Sequence, residues 1–357
     1  MKSVNEIVDL ASAYYGSAVL FAAIERGVFA AVEKSGSLAD VVKETGASER
    51  GLRLLLDACV AEGLLEKDGE TYCNTSAGRV ALVPGGPADL TKAIRYNRDV
   101  YPAWGKLAEF VFTGRPVERP EVHLGENSDR TKAFAAAMFG RAMGIGRCVV
   151  PMLGLNQTTE QSEQSEQSEQ SEQSEQSEQS EQSNNLKVLD LAGGPAAYAI
   201  LMCQANPGMT CVTVDLPAIS DEAKGYVAQF GLQDRIECRA GDYHADEFEA
   251  EAYDVVTIFG ALHQESPEAI VGILKRANRA LRKGGRVLVL DMMTDATHAA
   301  PKFSALFAVN MALTTENGWV FSDAELKGWM REAGFEPGET RTVPPPMPHW
   351  LVSGVKV

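Results

Sequence analysis

No two cysteines in this chain are spaced C-x-x-C, and no two of its five histidines stand as H-x-x-x-H. The six cysteines, Cys59, Cys73, Cys148, Cys203, Cys211 and Cys238, are scattered. Neither a metal site nor a disulfide framework is expected from that spacing. Six buried or half-buried thiols suit a reducing, cytoplasmic setting. Positive charge is also scarce, with 33 Lys and Arg against 49 Asp and Glu and a net charge of −16. A chain of that sign is a poor binder of phosphate backbones, so no nucleic-acid partner is expected. No run of 18 apolar residues occurs, which argues against a transmembrane helix and a membrane partner. The N-terminal stretch MKSVNEIVDLASAYYGS lacks a basic region followed by an apolar one, so no secretory signal is visible.

What is there is a chain of 357 residues, 45% hydrophobic and 23% charged, long enough for one large domain or two ordinary ones. Residues Glu160 to Ser183 are eight consecutive Glu-Gln-Ser triplets, carrying eight of the acids and no apolar residue. Like charges at i,i+3 and nothing to bury predict disorder there, as an inserted linker or loop expansion rather than an acidic interaction tail. The tract divides the chain. Before it, Val4 to Arg26 has apolar residues at near-helical spacing. Ser37 caps a helix through Val42, Gly46 makes a turn, and Ser48 caps a second helix carrying Leu52, Leu55, Leu56 and Val60. A hairpin over Glu66 to Asn74, turned at Asp68-Gly69, completes a winged-helix pattern. That pattern raises DNA binding. The second helix shows Glu49, Arg50, Arg53 and Asp57, a mixed face that favours a structural or dimerising role. Thr91 to Leu155 reads as further helix, rich in Met and aromatics that suit either a core or the wall of a pocket for a flat ligand.

After the tract, strands and helices alternate. Strands are predicted at Leu186–Leu191, Thr210–Val214, Arg235–Arg239, Tyr253–Phe259 and Arg286–Leu290, the last after a Lys283-Gly284-Gly285 turn. Helices are predicted at Ala196–Gln204, Ile219–Phe230, Pro267–Leu281, around Phe303–Leu313 and at Asp323–Ala333, with two late strands. This alternation predicts an α/β fold with a doubly wound, mostly parallel sheet.

In such a sheet ligands sit at the carboxyl ends of the strands. The first strand runs into VLDLAGGPAAY, with Asp190 ahead of the turn. Asp215 ends the second strand and is placed to accept the hydroxyls of a ribose. Asp242, in AGDYH, ends the third and can take an adenine amino group, with Tyr243 against the ring. G-x-G-x-x-G is absent, so pyrophosphate binding is poorly supported. Three acids suit a neutral ribose and a cationic ligand such as S-adenosylmethionine.

The segments VLDLAGGPAAY, VTVDLP, AGDYH, YDVVTIFGALHQE, LRKGGRVLVLD and LKGWMREAGFE resemble successive motifs of class I S-adenosylmethionine-dependent methyltransferases. With the winged-helix front, nearly the whole chain outside the tract is similar to the O-methyltransferase family that includes plant caffeic acid and bacterial natural-product enzymes. The resemblance implies a Rossmann-like domain with a seven-stranded sheet over residues 186–357. A winged-helix dimerisation domain over 1–100 precedes it, with a helical connector over 101–155 that contributes to the substrate pocket and the tract over 156–185. It implies a homodimer, a small-molecule acceptor, no metal, and a cofactor set of Asp190, Ala192, Gly193, Gly194, Asp215, Leu216, Asp242, Tyr243 and Phe259. The family turn reads D-x-G-x-G-x-G; here those glycines are Ala192, Gly194 and Ala196. A methyl at Ala192 is expected to approach the ligand, and one at Ala196 to crowd helix against strand.

His263, in GALHQES after the fourth strand, matches the family's general base, and Asp291 at the end of the fifth matches a partner often held by glutamate. A second family glutamate falls near Val320, which cannot replace it. Trp104, Phe134, Met138, Asn310 and Met311 are the candidate substrate-pocket residues. For a hydroxyl acceptor, the protein must align the nucleophile with the sulfonium methyl and remove its proton, work suited to an imidazole near neutral pH. O-methylation of a small aromatic hydroxyl is the leading reading. C- or N-methylation by proximity, a cofactor-binding protein that no longer methylates, and a winged-helix regulator are the alternatives.

Overall fold

Ser37, Ser48 and Thr75 each accept a backbone hydrogen bond from the third residue of the helix they precede, so short polar side chains set the helix starts in the first part of the chain. The computed structural model describes residues 2–86, 88–118, 127–155, 185–344 and 348–357. These divide into two compact units, 1–105 and 106–357. The expected connector therefore splits, its first five residues going with the front unit. The Glu-Gln-Ser tract, and the disorder expected of it, lie outside the described residues.

The first unit runs α1 (Val4–Ser12), α2 (Tyr14–Glu25), α3 (Val28–Lys34), α4 (Leu38–Thr45), α5 (Glu49–Ala61), the antiparallel hairpin β1 (Leu65–Asp68) and β2 (Thr71–Asn74), α6 (Ser76–Ala81) and α7 (Thr91–Trp104). Gly46 takes the left-handed conformation at the turn between α4 and α5, which glycine adopts without a Cβ penalty. Phe29, Leu52, Leu56, Leu65 and Tyr72 are fully buried at the centre of the core. Three of the four charges of α5 are paired locally: Arg53 with Glu49 and Glu70, and Asp57, which accepts from Lys67 and the Tyr72 hydroxyl. On α1 and α2, Val4, Ile7, Val8, Leu10, Tyr14 and Tyr15 are exposed.

By length and composition alone, Val4–Glu25 and Ser128–Met152 would pass as membrane-crossing helices, with mean hydropathies of 1.6 and 1.3. Neither is an uninterrupted apolar run: Asn5, Glu6 and Asp9 break the first, and Arg141 and Arg147 the second. A helix packed in the core of a globular unit passes the same test of length and composition.

The second unit opens with α8 (Leu107–Thr113) and α9 (Ser128–Val149). Then alternate β3 (Lys187–Leu191), α10 (Ala197–Ala205), β4 (Thr210–Asp215), α11 (Pro217–Gln229), β5 (Ile236–Ala240), β6 (Tyr253–Phe259), α12 (Pro267–Ala280) and β7 (Leu281–Asp291). α13 (Lys302–Thr314), α14 (Asp323–Glu332), β8 (Phe335–Thr342) and β9 (Trp350–Lys356) complete it. The seven strands lie in the order β5-β4-β3-β6-β7-β9-β8. β3 to β7 are parallel; β9 runs antiparallel to β7, and β8 antiparallel to β9. β7 is longer than expected: it starts at Leu281, which pairs with Tyr253, and the ladder shifts register before Val255 pairs with Arg286. The Lys283-Gly284-Gly285 segment is thus an irregularity within the strand rather than a turn ahead of it.

β3, β6 and β7 are buried on both faces, as central strands covered by helices must be. One core layer holds Ile270, Ile273, Leu274, Leu326 and Met330 against the sheet. The other holds Val149, Ile200, Cys203, Ala223 and Val227. The order reverses between β3 and β6. A cleft forms at such a point because the connections leaving the two neighbouring strands go to opposite sides of the sheet.

Candidate active site

The turn after β3 is built without room to spare. The Gly193 N–H donates to the Val214 carbonyl at 3.2 Å, and a Cβ at Gly193 would collide with the Thr213 hydroxyl and the Asp190 carboxylate. Ala192, Gly194 and Ala196 all have positive φ, at 54°, 56° and 63°. The glycines of the related pattern therefore matter for backbone conformation. An L-residue in the left-handed region costs roughly 1–2 kcal/mol, a reason that the sequence reading, which weighed only methyl crowding, did not give. A Cβ at Gly194 would meet nothing within 4 Å, so open space adjoins the turn.

Asp190 lies under this turn rather than in the open cleft. It is 1% exposed and accepts from Thr257 at 2.6 Å and Thr213 at 3.4 Å. Burial raises its pKa to about 7 against the pull of the Thr257 hydroxyl, and the charge of Asp215 adds to the rise. Asp215, ending β4, braces the turn from the side: its two oxygens accept from the Gly194 and Leu216 N–H groups, each at 2.8 Å. Burial lifts its carboxyl above the usual range, and those two bonds oppose the shift. Asp242 is exposed and accepts from the His244 N–H at 2.8 Å. Leu216 is on the surface. Phe259, expected in the cofactor set, is a core residue with its ring edge-on to Tyr198 at 5.0 Å.

His263 sits in a 3-10 turn, Leu262–Gln264, just beyond β6. Its Nδ1 lies 2.6 Å from Oδ1 of Asp291, the last residue of the neighbouring strand β7. The main chain completes the arrangement: the His263 N–H donates to Oδ2 at 3.3 Å and the Met292 N–H to Oδ1 at 2.8 Å. Asp291 is fully buried and His263 is 8% exposed. A carboxylate facing Nδ1 makes that nitrogen the protonated one and leaves Nε2 as a proton acceptor. Phe307, on α13, meets the imidazole edge-on at 5.1 Å. Val320 is buried in the core, and Glu316 is exposed.

Of the substrate candidates, Phe134 and Met138 are half-buried on α9, and Asn310 and Met311 are on α13, with Met311 buried. Trp104 ends α7 in the first unit. Three residues near the pair had no signal in the sequence. Phe307 is one. Glu265 accepts the Tyr243 hydroxyl at 2.7 Å. His349, which precedes β9, is buried with its Nδ1 unpartnered among the described residues. Burial lowers its pKa to about 4, Arg141 pushes the same way, and Asp291 opposes both.

The strand order and the acids at three successive strand ends are those of a Rossmann-like methyltransferase. The model of the O-methyltransferase domain matches residues 124–336, and that of the O-methyltransferase dimerisation domain matches residues 8–84. The chain belongs to the O-methyltransferase family. Among its relatives is the 3-hydroxy-5-methyl-1-naphthoate 3-O-methyltransferase of Streptomyces sahachiroi, 28% identical over 98% of this chain and 94% of that protein. The L-tyrosine C(3)-methyltransferase of Streptomyces lavendulae is 32% identical over 85% of this chain and 73% of that protein. Human N-acetylserotonin methyltransferase, solved in complex with S-adenosylmethionine, superposes with a TM-score of 0.82 at 24% identity, covering 100% of this chain and 99% of that one.

Proposed function

We propose that this enzyme transfers a methyl group from S-adenosylmethionine to a hydroxyl of a small, aromatic acceptor, with His263 as general base and Asp291 as its orienting partner. The buried 2.6 Å contact between His263 and Asp291, at the cleft side of the sheet, carries this reading. The residues fit the cofactor. Asp215 and Asp242 favour a ligand of net positive charge, and the open space beside Gly194 adjoins Asp215. Asp215 would hold the ribose hydroxyls and Asp242 the adenine amino group, with Tyr243 as a wall. When bound, S-adenosylmethionine supplies a methyl group on a sulfonium, open to in-line attack. The chain's own work is to align the acceptor oxygen and to take its proton at His263 Nε2. Asp291 then stabilises the imidazolium.

Labelled S-adenosylmethionine with a panel of phenols and naphthols, read by mass spectrometry, tests this. An O-methyl product made by the wild type and lost in His263→Ala supports it. Carbon methylation that survives His263→Ala supports the second reading, transfer by proximity, which the 32% identity to a tyrosine C-methyltransferase favours.

The front unit is read as a winged-helix dimerisation domain of a cytoplasmic homodimer that binds neither nucleic acid nor membrane. The exposed apolar residues of α1 and α2 and the dimerisation-domain match support the homodimer. The local pairing of Arg53 and Asp57 on α5 supports the absence of DNA binding. Sedimentation showing a stable, active monomer at micromolar concentration would contradict the homodimer.

A further inference from the structure

Glu265 is a buried carboxylate that no step of the reaction above uses. It is 7% exposed and stands two residues beyond His263. Among the described residues no lysine or arginine pairs with it; its Oε1 accepts the Tyr243 hydroxyl at 2.7 Å and lies 3.2 Å from His244 Nε2. Tyr243 and His244 are themselves stacked, with ring centroids 4.6 Å apart. The main chain of the same turn is gripped from another direction. The Trp319 indole N–H donates to the Glu265 carbonyl and the Trp319 backbone N–H to the His263 carbonyl, each at 2.9 Å. One carboxylate therefore joins the loop after β5, which carries Asp242 and Tyr243, to the turn after β6, which carries His263.

The chemistry of the contact is one-directional. A carboxylate accepts and a phenol donates, so the Tyr243 ring is held at its far end by a charge-assisted bond. A phenylalanine in that place would keep the ring but lose the tether. Tyr243 also feels the charges of Asp215 and Asp242, which places it among the acids read above as the nucleoside contacts.

We propose that Glu265 is a positioning residue for cofactor binding, fixing the Tyr243 ring as a wall of the cofactor pocket and tying that wall to the turn that bears the base. This rests on the S-adenosylmethionine reading.

A double-mutant cycle on the full-length protein, with S-adenosylhomocysteine as the probe and calorimetry as the readout, tests it. Glu265→Ala and Tyr243→Phe are each expected to weaken binding about tenfold, the scale of one charge-assisted hydrogen bond, and the double variant no further. Glu265→Gln retains an oxygen that accepts the phenol proton and is expected to bind within about threefold of wild type. A purely structural Glu265 would instead lower the melting temperature without this coupling. Losses that multiply in the double variant, or an unchanged affinity in Tyr243→Phe, overturn the proposal. Tyr243→Phe keeps the ring, so it decides the matter even where Glu265→Ala does not fold. If the wild type itself does not bind S-adenosylhomocysteine, the cofactor reading fails, and this proposal fails with it.

Discussion

His263 and Asp291 meet twice, imidazole to carboxylate at 2.6 Å and main-chain N–H to the second carboxylate oxygen at 3.3 Å. The second contact anchors the acid to the base's own backbone, so one carboxylate holds both the ring and the main chain that carries it. His263→Ala is expected to lower kcat by roughly 10²–10⁴, the usual contribution of a general base, while leaving cofactor affinity nearly intact. His263→Gln does not restore the rate, because an amide aligns a hydroxyl but does not take its proton. Asp291→Asn gives a smaller loss. Steady-state kinetics with calorimetry of S-adenosylhomocysteine binding checks all three, and near-wild-type turnover in His263→Ala would move proximity catalysis ahead.

Asp215 has two duties. It is read as the ribose ligand, and it holds the Gly194 and Leu216 N–H groups. Asp215→Ala is expected to weaken cofactor binding by about 1.5–3 kcal/mol for each charge-assisted bond lost, as an upper range. It is also expected to lower the melting temperature, because the turn loses its brace. Thermal scans of the unliganded protein separate the two effects, and an unchanged affinity would remove Asp215 from the site.

The positive φ of Ala192 and Ala196 gives a stability prediction of opposite sign. Ala192 is half-buried, and glycine there relieves left-handed strain for a small loss of packing. Ala192→Gly is expected to raise the unfolding free energy by up to about 1 kcal/mol. Ala196 is fully buried, so removing its methyl forfeits about 0.8 kcal/mol and the gain shrinks towards zero. Urea denaturation of both variants tests the order; a lower midpoint for Ala192→Gly than for wild type would show that the strain is not real.

Two buried groups tilt the pH dependence of stability in opposite directions. An unfolded histidine binds a proton near pH 6.5 and the folded His349 only near 4, because burial disfavours the charged ring. Between those values the unfolded state holds more protons, so stability falls as pH drops, by an amount on the order of 3 kcal/mol in total. Asp190 has the reverse sign. Its folded pKa is raised to about 7 from 3.8, so its contribution is present at low pH and lost as pH rises through that range. Denaturation between pH 4 and 8 is expected to show less acid destabilisation in His349→Phe, and less loss toward pH 7 in Asp190→Asn. Slopes matching wild type would place both groups in better-solvated surroundings.

Much of the architecture was legible locally. Ser37 and Ser48 mark helix starts through side-chain chemistry that acts within three residues. The apolar runs of β3 and β6 are those of strands covered on both faces, and acids placed just where such strands end point to the cleft. The places of Asp215, Asp242 and His263 at or just beyond strand ends were readable on those grounds, together with the resemblance of their surrounding motifs. Asp291 was paired with His263 by resemblance alone.

The sequence by itself determined most of the elements, because helix caps, strand burial and turn preferences are settled by near neighbours; the early, irregular start of β7 was the exception. Only the tertiary structure decided which distant groups meet. The parallel pairing of β6 with β7 brings Asp291 to His263 across 28 positions. The antiparallel register that sets Trp350 opposite Asp291 brings His349 to the same strand end. The loop after β5 and the turn after β6 bring Tyr243 to Glu265. The left-handed backbone at Ala192 and Ala196 was likewise hidden, since alanine ordinarily signals the opposite. Register and strand order are properties of the whole sheet, chosen by how all its faces are covered at once, and no window of sequence encodes them alone.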